Sequence, residues 1–287
     1  MKTVSFQYQT ELVFSSPASD HRFILRILPK SDGRQSIKKL SWHIDPPSTV
    51  WRTSDSFGND ALAGFINAPH DHFRFGIEAA AEVTDAPYTS SVDFFTEDLS
   101  QRRSLHANRG SEDAKEFSGL LPRVLLYPTE LTQVHGGLAD FYNELEKSAP
   151  GETLQRVQYF SHAVHTCLRY EHGVTVNSTT AQEAFDLGTG VCQDYAHILL
   201  ALLRKNGVPC RYAAGLASDY GETHAWVEAW IADRCYGIDP TRDKLIDEGY
   251  IALSRGRDFE DCSVERGVFK GACRGTQTIN LSMEISQ

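Results

Sequence analysis

The chain has 287 residues, 41% of them hydrophobic and 23% charged; these are ordinary globular values, and they exclude a disordered or fibrous protein. Its net charge of −10 leaves no surplus of lysine and arginine to displace counterions from phosphates, which argues against nucleic acid or an anionic membrane as partner. The length suits one large domain or two medium ones.

The opening stretch MKTVSFQYQTELVF lacks the apolar run of a signal peptide, and no window approaches the length of a membrane span, so the expected location is cytoplasmic. Six cysteines (Cys167, Cys192, Cys210, Cys235, Cys262, Cys273) form no CxxC pair, unlike a disulfide scaffold, and most are expected to be small buried hydrophobes.

Up to Ala86 the chain alternates with period two at Val4/Phe6/Tyr8, Phe23/Leu25/Ile27, Leu40/Trp42/Ile44 and Phe73/Phe75/Ile77, with turn signals KSDG, DPPS and FGND between. This predicts an N-terminal antiparallel β-sandwich over residues 1–105. Asp98 to Ser118 is polar and without period, the expected connection between domains, and its basic cluster QRRSLHANR reads as a solvated linker.

Residues 106–287 change to helical period in GGLADFYNELEK and TLQRVQYFSHAVHTCLRY. In TTAQEAFDLG, Thr179 or Thr180 offers an N-cap, Glu183 a capping box and Gly188 a C-terminal stop. A helix from Cys192 to Lys205 is apolar nearly all round and therefore buried, closing at Asn206-Gly207. Strands return in CRYAAGL, HAWVEAWI and CYGID, so the fold class is α+β; the final QTINLSMEIS predicts one closing strand with no sheet assigned to it.

Cys192 heads its helix, where the dipole and free N–H groups favour a thiolate and could hold an oxyanion. Gly188 and Gly190 before it let the backbone turn and leave room for a substrate. His224 begins an alternating strand, and a hairpin turning near Ala232-Asp233 would bring Asp239 diagonal to it on one face. Cysteine, histidine and an orienting carboxylate are the set that nucleophilic acyl chemistry needs.

The segments GTGVCQDYAHILLALLRKNGVPCRYAAG, THAWVEAW and GIDPTRD resemble the transglutaminase-like superfamily, in its bacterial cysteine-protease branch, and HRFILRILP with FGND resembles that branch's N-terminal β domain. The resemblance implies a papain-like α+β core, with Cys192 as nucleophile, His224 as general base and acid, Asp239 orienting His224, and an acyl-thioester intermediate formed from an amide. Cys235 stands where relatives often carry tryptophan, and no acidic cluster resembles a calcium loop.

The resulting expectation is a cysteine-dependent amide hydrolase of peptides or proteins, with no cofactor and no metal; acyl transfer to an amine, and an inactive binding scaffold, are the alternatives. The oligomeric state stays open. Trp226, Tyr212 and Gln193 are candidate substrate contacts, though core packing explains the two aromatics equally well. Asp194 fits the first helical turn, His197 a core histidine, and His162 with His165 a packed or solvated helix face, better than any of them fits a metal site.

Overall fold

The computed structural model describes residues 1–87, 123–151, 153–219, 221–232 and 234–286. The expected domain boundary at 105/106 and the QRRSLHANR cluster lie outside these residues.

The N-terminal unit is a curled antiparallel sheet built around one long strand. β1 (Lys2–Leu28) joins what the sequence reads as two separate strands, Val4–Tyr8 and Phe23–Ile27. Its first half pairs with β5 (His70–Val83), which in turn carries β2 (Gln35–Asp45); its second half pairs with β4 (Asp60–Ile66), followed by β3 (Thr49–Ser54). Pro17, which cannot donate to a ladder, and Asp20, at a φ of 47°, lie in the stretch where the register with both β5 and β13 slips, and the strand changes partners there. Val4, Phe6, Tyr8, Phe23, Leu25, Phe73 and Phe75 from both halves form a single core.

Inside that core His21 and His70 stack, with Nδ1 of His21 3.2 Å from Nε2 of His70. His70 Nδ1 lies 3.0 Å from the Ala68 carbonyl, which can only accept, so that nitrogen carries the proton and His70 Nε2 accepts from His21. Burial, with a smaller contribution from His70, pushes His21 down to about 4.

The second unit follows the predicted order closely: α1 (Gly136–Ser148), α2 (Thr153–Cys167), β6 (Arg169–Tyr170), α3 (Ala181–Leu187), β7 (Thr189–Gly190) and α4 (Cys192–Lys205). Thr180 caps α3 with Glu183 completing the capping box, and Gly188 ends it in the left-handed region at a φ of 65°. A five-stranded antiparallel sheet follows, formed by β8 (Cys210–Ala217), β9 (Thr223–Ile231), β10 (Arg234–Asp239), β11 (Lys244–Leu245) and β12 (Tyr250–Gly256), in the order β11-β10-β9-β8-β12. Leu199, Leu200, Leu202 and Leu203 of α4 pack on one face of this sheet with Ala225, Val227 and Ala229 of β9. Trp226 faces the other way, into a small cluster with Tyr250, Ile246 and Ala252. Beyond the short helix α5 (Phe259–Cys262), β13 (Glu265–Lys270) and β14 (Gly275–Ser286) return to the N-terminal sheet, both antiparallel to β1; this places the closing strand that sequence alone left unassigned.

β12 is an edge strand, and its open side is covered by two side-chain amides of the N-terminal unit. Gln35 accepts from the Ala252 N–H and donates to the Ala252 carbonyl, both at 2.9 Å. Asn59, the third residue of FGND, does the same for Arg255, at 2.8 Å and 2.7 Å. An irregularity between Ala252 and Ser254 turns these two residues, three apart, toward the same edge. Each amide imitates a paired strand, and so no buried backbone group is orphaned at these two positions. Beside them Glu228, fully buried, is gripped by Arg211 and Arg255, and Arg255 also reaches Asp32 at 2.8 Å. Burial alone would raise Glu228, yet the two guanidiniums bring it down to about 2.

Asn59→Ala strands the Arg255 N–H and carbonyl, and is expected to cost about 2–4 kcal/mol of stability in urea unfolding; a loss below about 1 kcal/mol contradicts the edge-capping role. For His21 the unfolded value of 6.5 exceeds the folded one, so stability is complete above pH 6.5 and falls as the unfolded state gains a proton, until about pH 4. The loss over that window is about 3 kcal/mol, and His21→Phe is expected to remove this part of the pH dependence. Identical pH dependence in the two proteins would refute it.

Candidate active site

Three elements converge on the site. α4 begins at Cys192, β9 delivers His224 one residue from its start, and β10 ends at Asp239. The hairpin register sets Ile238 opposite Val227, so Asp239 follows opposite Trp226 and lies diagonal to His224, as the alternation predicts; Ala232, at a φ of 55°, sits in the turn. His224 Nε2 lies 2.7 Å from Asp239 Oδ2, and both side chains are fully buried.

Asp239 is saturated with donors. Its Oδ1 accepts from the backbone N–H of Thr241 (2.9 Å) and of Arg242 (3.2 Å), an Asx turn formed by the residues directly after it. Its Oδ2 takes a second hydrogen bond, from the Tyr250 hydroxyl at 2.7 Å. Burial raises the carboxyl's pKa, but His224, Tyr250 and Arg242 outweigh that, and the group is held below the ordinary carboxylate value. An anionic Asp239 can only accept, so His224 Nε2 carries a proton and Nδ1 is the nitrogen left for proton exchange.

Cys192 is a free, part-buried thiol. Burial is the largest influence on it and pushes it up to about 12, helped by the negative charges of Asp239 and Asp194; the backbone N–H groups of Ala225 and Gln193 act in the opposite direction. Ala225 follows His224 directly in the chain, so the influence of its backbone N–H on the sulfur marks the head of α4 as a neighbour of the histidine strand. Burial therefore opposes the thiolate that a helix N-terminus favours.

The glycines divide their roles differently from expectation. Gly188 makes the left-handed stop of α3. At Gly190 a Cβ would sit 2.6 Å from Oδ2 of Asp194, so the space there is taken by that carboxylate rather than left for a substrate. Asp194 Oδ2 in turn accepts from the Val191 N–H and the Thr175 hydroxyl, both at 2.7 Å, and fixes the backbone leading into Cys192.

Of the candidate substrate contacts, Gln193 donates its side-chain amide to the Asn177 carbonyl at 3.2 Å, while Tyr212 and Trp226 are 2% and 1% exposed and sit in apolar clusters. His197 accepts from the Phe259 N–H at 3.2 Å within the core. His162 pairs with Asp243 at 2.7 Å and His165 lies 3.1 Å from the Thr241 carbonyl, so both hold the loop that follows Asp239. Arg257 pairs with Asp261, and its neighbour Asp258 caps α5. Sequence reasoning passed over Tyr250 and Arg242, which surround Asp239; the Asp-Pro-Thr-Arg order could have flagged the Asx turn, but nothing local marks Tyr250.

Residues 140–240 match the transglutaminase-like superfamily model and residues 4–84 that of the bacterial transglutaminase-like N-terminal region, together more than half of the chain. The chain belongs to the transglutaminase-like superfamily. It is 28% identical over 292 residues to an uncharacterized protein of Mycobacterium leprae, covering 98% of this chain and 97% of that one. An uncharacterized Mycobacterium tuberculosis protein is 27% identical over 267 residues, covering 84% and 79%. The fold is that of a crystal structure named "a Putative Cysteine Protease from Cytophaga hutchinsonii", with a TM-score of 0.74, 19% identity, and coverage of 99% of this chain and 91% of that one. Among the described residues of this superfamily member, no helix is long and apolar enough to cross a membrane.

Gly190→Ala is expected to displace the Asp194 carboxylate and cost about 1–3 kcal/mol of stability, with slower iodoacetamide labelling of Cys192. Unchanged stability and labelling would assign the Gly190 space no role.

Proposed function

We propose that this superfamily member is a cysteine-dependent amide hydrolase acting on peptides or proteins through Cys192, His224 and Asp239. The observation that carries the reading is the fully buried hydrogen bond between His224 and Asp239, with Cys192 at the head of the helix that packs on the same sheet.

The raised thiol directs the chemistry toward general-base activation. His224 Nδ1 takes the proton from Cys192 as the sulfur attacks the amide carbonyl, and Asp239 stabilises the imidazolium that forms. The backbone N–H of Cys192 at the helix head donates to the developing oxyanion. His224 then protonates the departing amine as the C–N bond breaks, leaving a thioester. Water, deprotonated by His224, attacks that thioester; the carboxylic acid departs and the sulfur recovers its proton. No step calls for a metal or cofactor. The six free cysteines support a reducing compartment, the cytoplasm.

The test is a library of peptide amides incubated with and without a primary amine. Hydrolysis lost about a thousandfold or more in Cys192→Ala and His224→Ala, and less completely in Asp239→Asn, is the expected result. Product carrying the added amine would replace hydrolysis with acyl transfer, and turnover that survives Cys192→Ala would end the proposal.

A further inference from the structure

Tyr250 opens β12 and reaches across the sheet to the same Asp239 oxygen that holds His224. Its ring is packed edge-on against Trp226, with centroids 5.5 Å apart, and a phenylalanine would fill that place equally well. The hydroxyl therefore needs a separate explanation. Arg242 Nη1 donates to it at 2.9 Å, and the same guanidinium pairs with Asp219 at 2.8 Å. A guanidinium only donates, so the single Tyr250 proton points to Asp239. The directions along the chain are thereby set: Arg242 gives to Tyr250, Tyr250 gives to Asp239, and His224 gives to Asp239.

We propose that Tyr250, oriented by Arg242, is a positioning residue that shares Asp239 Oδ2 with His224 and so sets both the direction and the strength of the carboxylate's hold on the imidazole. With Oδ1 occupied by two backbone N–H groups and Oδ2 by two side-chain donors, the carboxylate can neither rotate nor concentrate its charge on the histidine. Removing the hydroxyl takes away one of the two side-chain hydrogen bonds described at Oδ2, with Arg242 Nε still 3.9 Å off, and the bond to Nε2–H shortens. This rests on the proposed role of the three groups, but its test is independent of turnover.

The experiment is proton and nitrogen NMR of the full-length protein with labelled histidine, the His224 signals being assigned by their loss in His224→Asn. Burial of both partners protects the Nε2 proton from exchange, and the Nε2 nitrogen shift supplies a second readout that needs no slowly exchanging proton. Tyr250→Phe is expected to move the Nε2 proton further downfield, with a corresponding change at the nitrogen. Arg242→Met, which keeps the hydroxyl but weakens it as a donor and also removes the guanidinium 3.9 Å from Asp239 Oδ2, should shift both the same way, and it serves alone if Tyr250→Phe does not fold, because unshifted signals there overturn the proposal equally. Signals at the wild-type position in whichever of these variants fold would overturn the proposal, whereas a shift in a protein that hydrolyses no amide would leave it standing and refute only the hydrolase.

Discussion

A carboxylate with no exposure to water must be given donors by the protein, or it takes up a proton and ceases to be an anion. Asp239 meets this demand in three ways: through its own chain by the Asx turn at Thr241 and Arg242, through β9 by His224, and through β12 by Tyr250. Much of the site's architecture answers to that one group. β10 must end where the turn begins, the hairpin register must keep Asp239 diagonal to His224, and β12, two strands beyond β9, must start with a side chain long enough to reach across.

The cysteine obeys a different balance. A helix N-terminus and two backbone N–H groups favour the thiolate, but burial and the nearby Asp239 and Asp194 charges oppose it more strongly. A sulfur whose pKa is raised by burial is less open to adventitious oxidation and alkylation, and it becomes nucleophilic when its proton has an acceptor within reach. In the proposed mechanism that acceptor is His224, its tautomer set by Asp239.

The helices, the α3 cap and the cysteine helix were legible because each is a local affair. Thr180, Glu183 and Gly188 act within one turn of each other, and the apolar run after Cys192 fits a helix buried on nearly every side. The His224 and Asp239 pairing was also legible, since two alternating segments and a short turn determine a register. What stayed hidden depends on long-range contact. Tyr250 meets Asp239 from the far edge of the sheet, and its sequence neighbourhood carries no sign of that. β14 returns across more than two hundred and fifty residues to pair with Thr3–Phe14, and the stretch where β1 changes partners reads as a gap between strands because Pro17 and Asp20 interrupt its alternation. Gly190 is hidden for a related reason: that its missing side chain makes room for Asp194 rather than a substrate shows only once the chain is folded.

The coverage of β12 gives a physical reason why a transglutaminase-like unit is joined to a curled β unit. An edge strand that carries a site residue at one end has to be held in register, yet another full strand on that edge would bury Arg255 and Glu228 differently and displace the ion pairs around them. Gln35 and Asn59 resolve the conflict, because a side-chain amide pairs with one residue's N–H and carbonyl and continues no further. Asp32, in the same N-terminal unit, completes the charge balance by meeting Arg255. β13 and β14 then return the chain to β1, so the N-terminal sheet takes strands from both sides of the transglutaminase-like unit in sequence. The alignment of Tyr250 with Asp239 therefore depends on residues from both ends of the chain, and the two units hold the site as one.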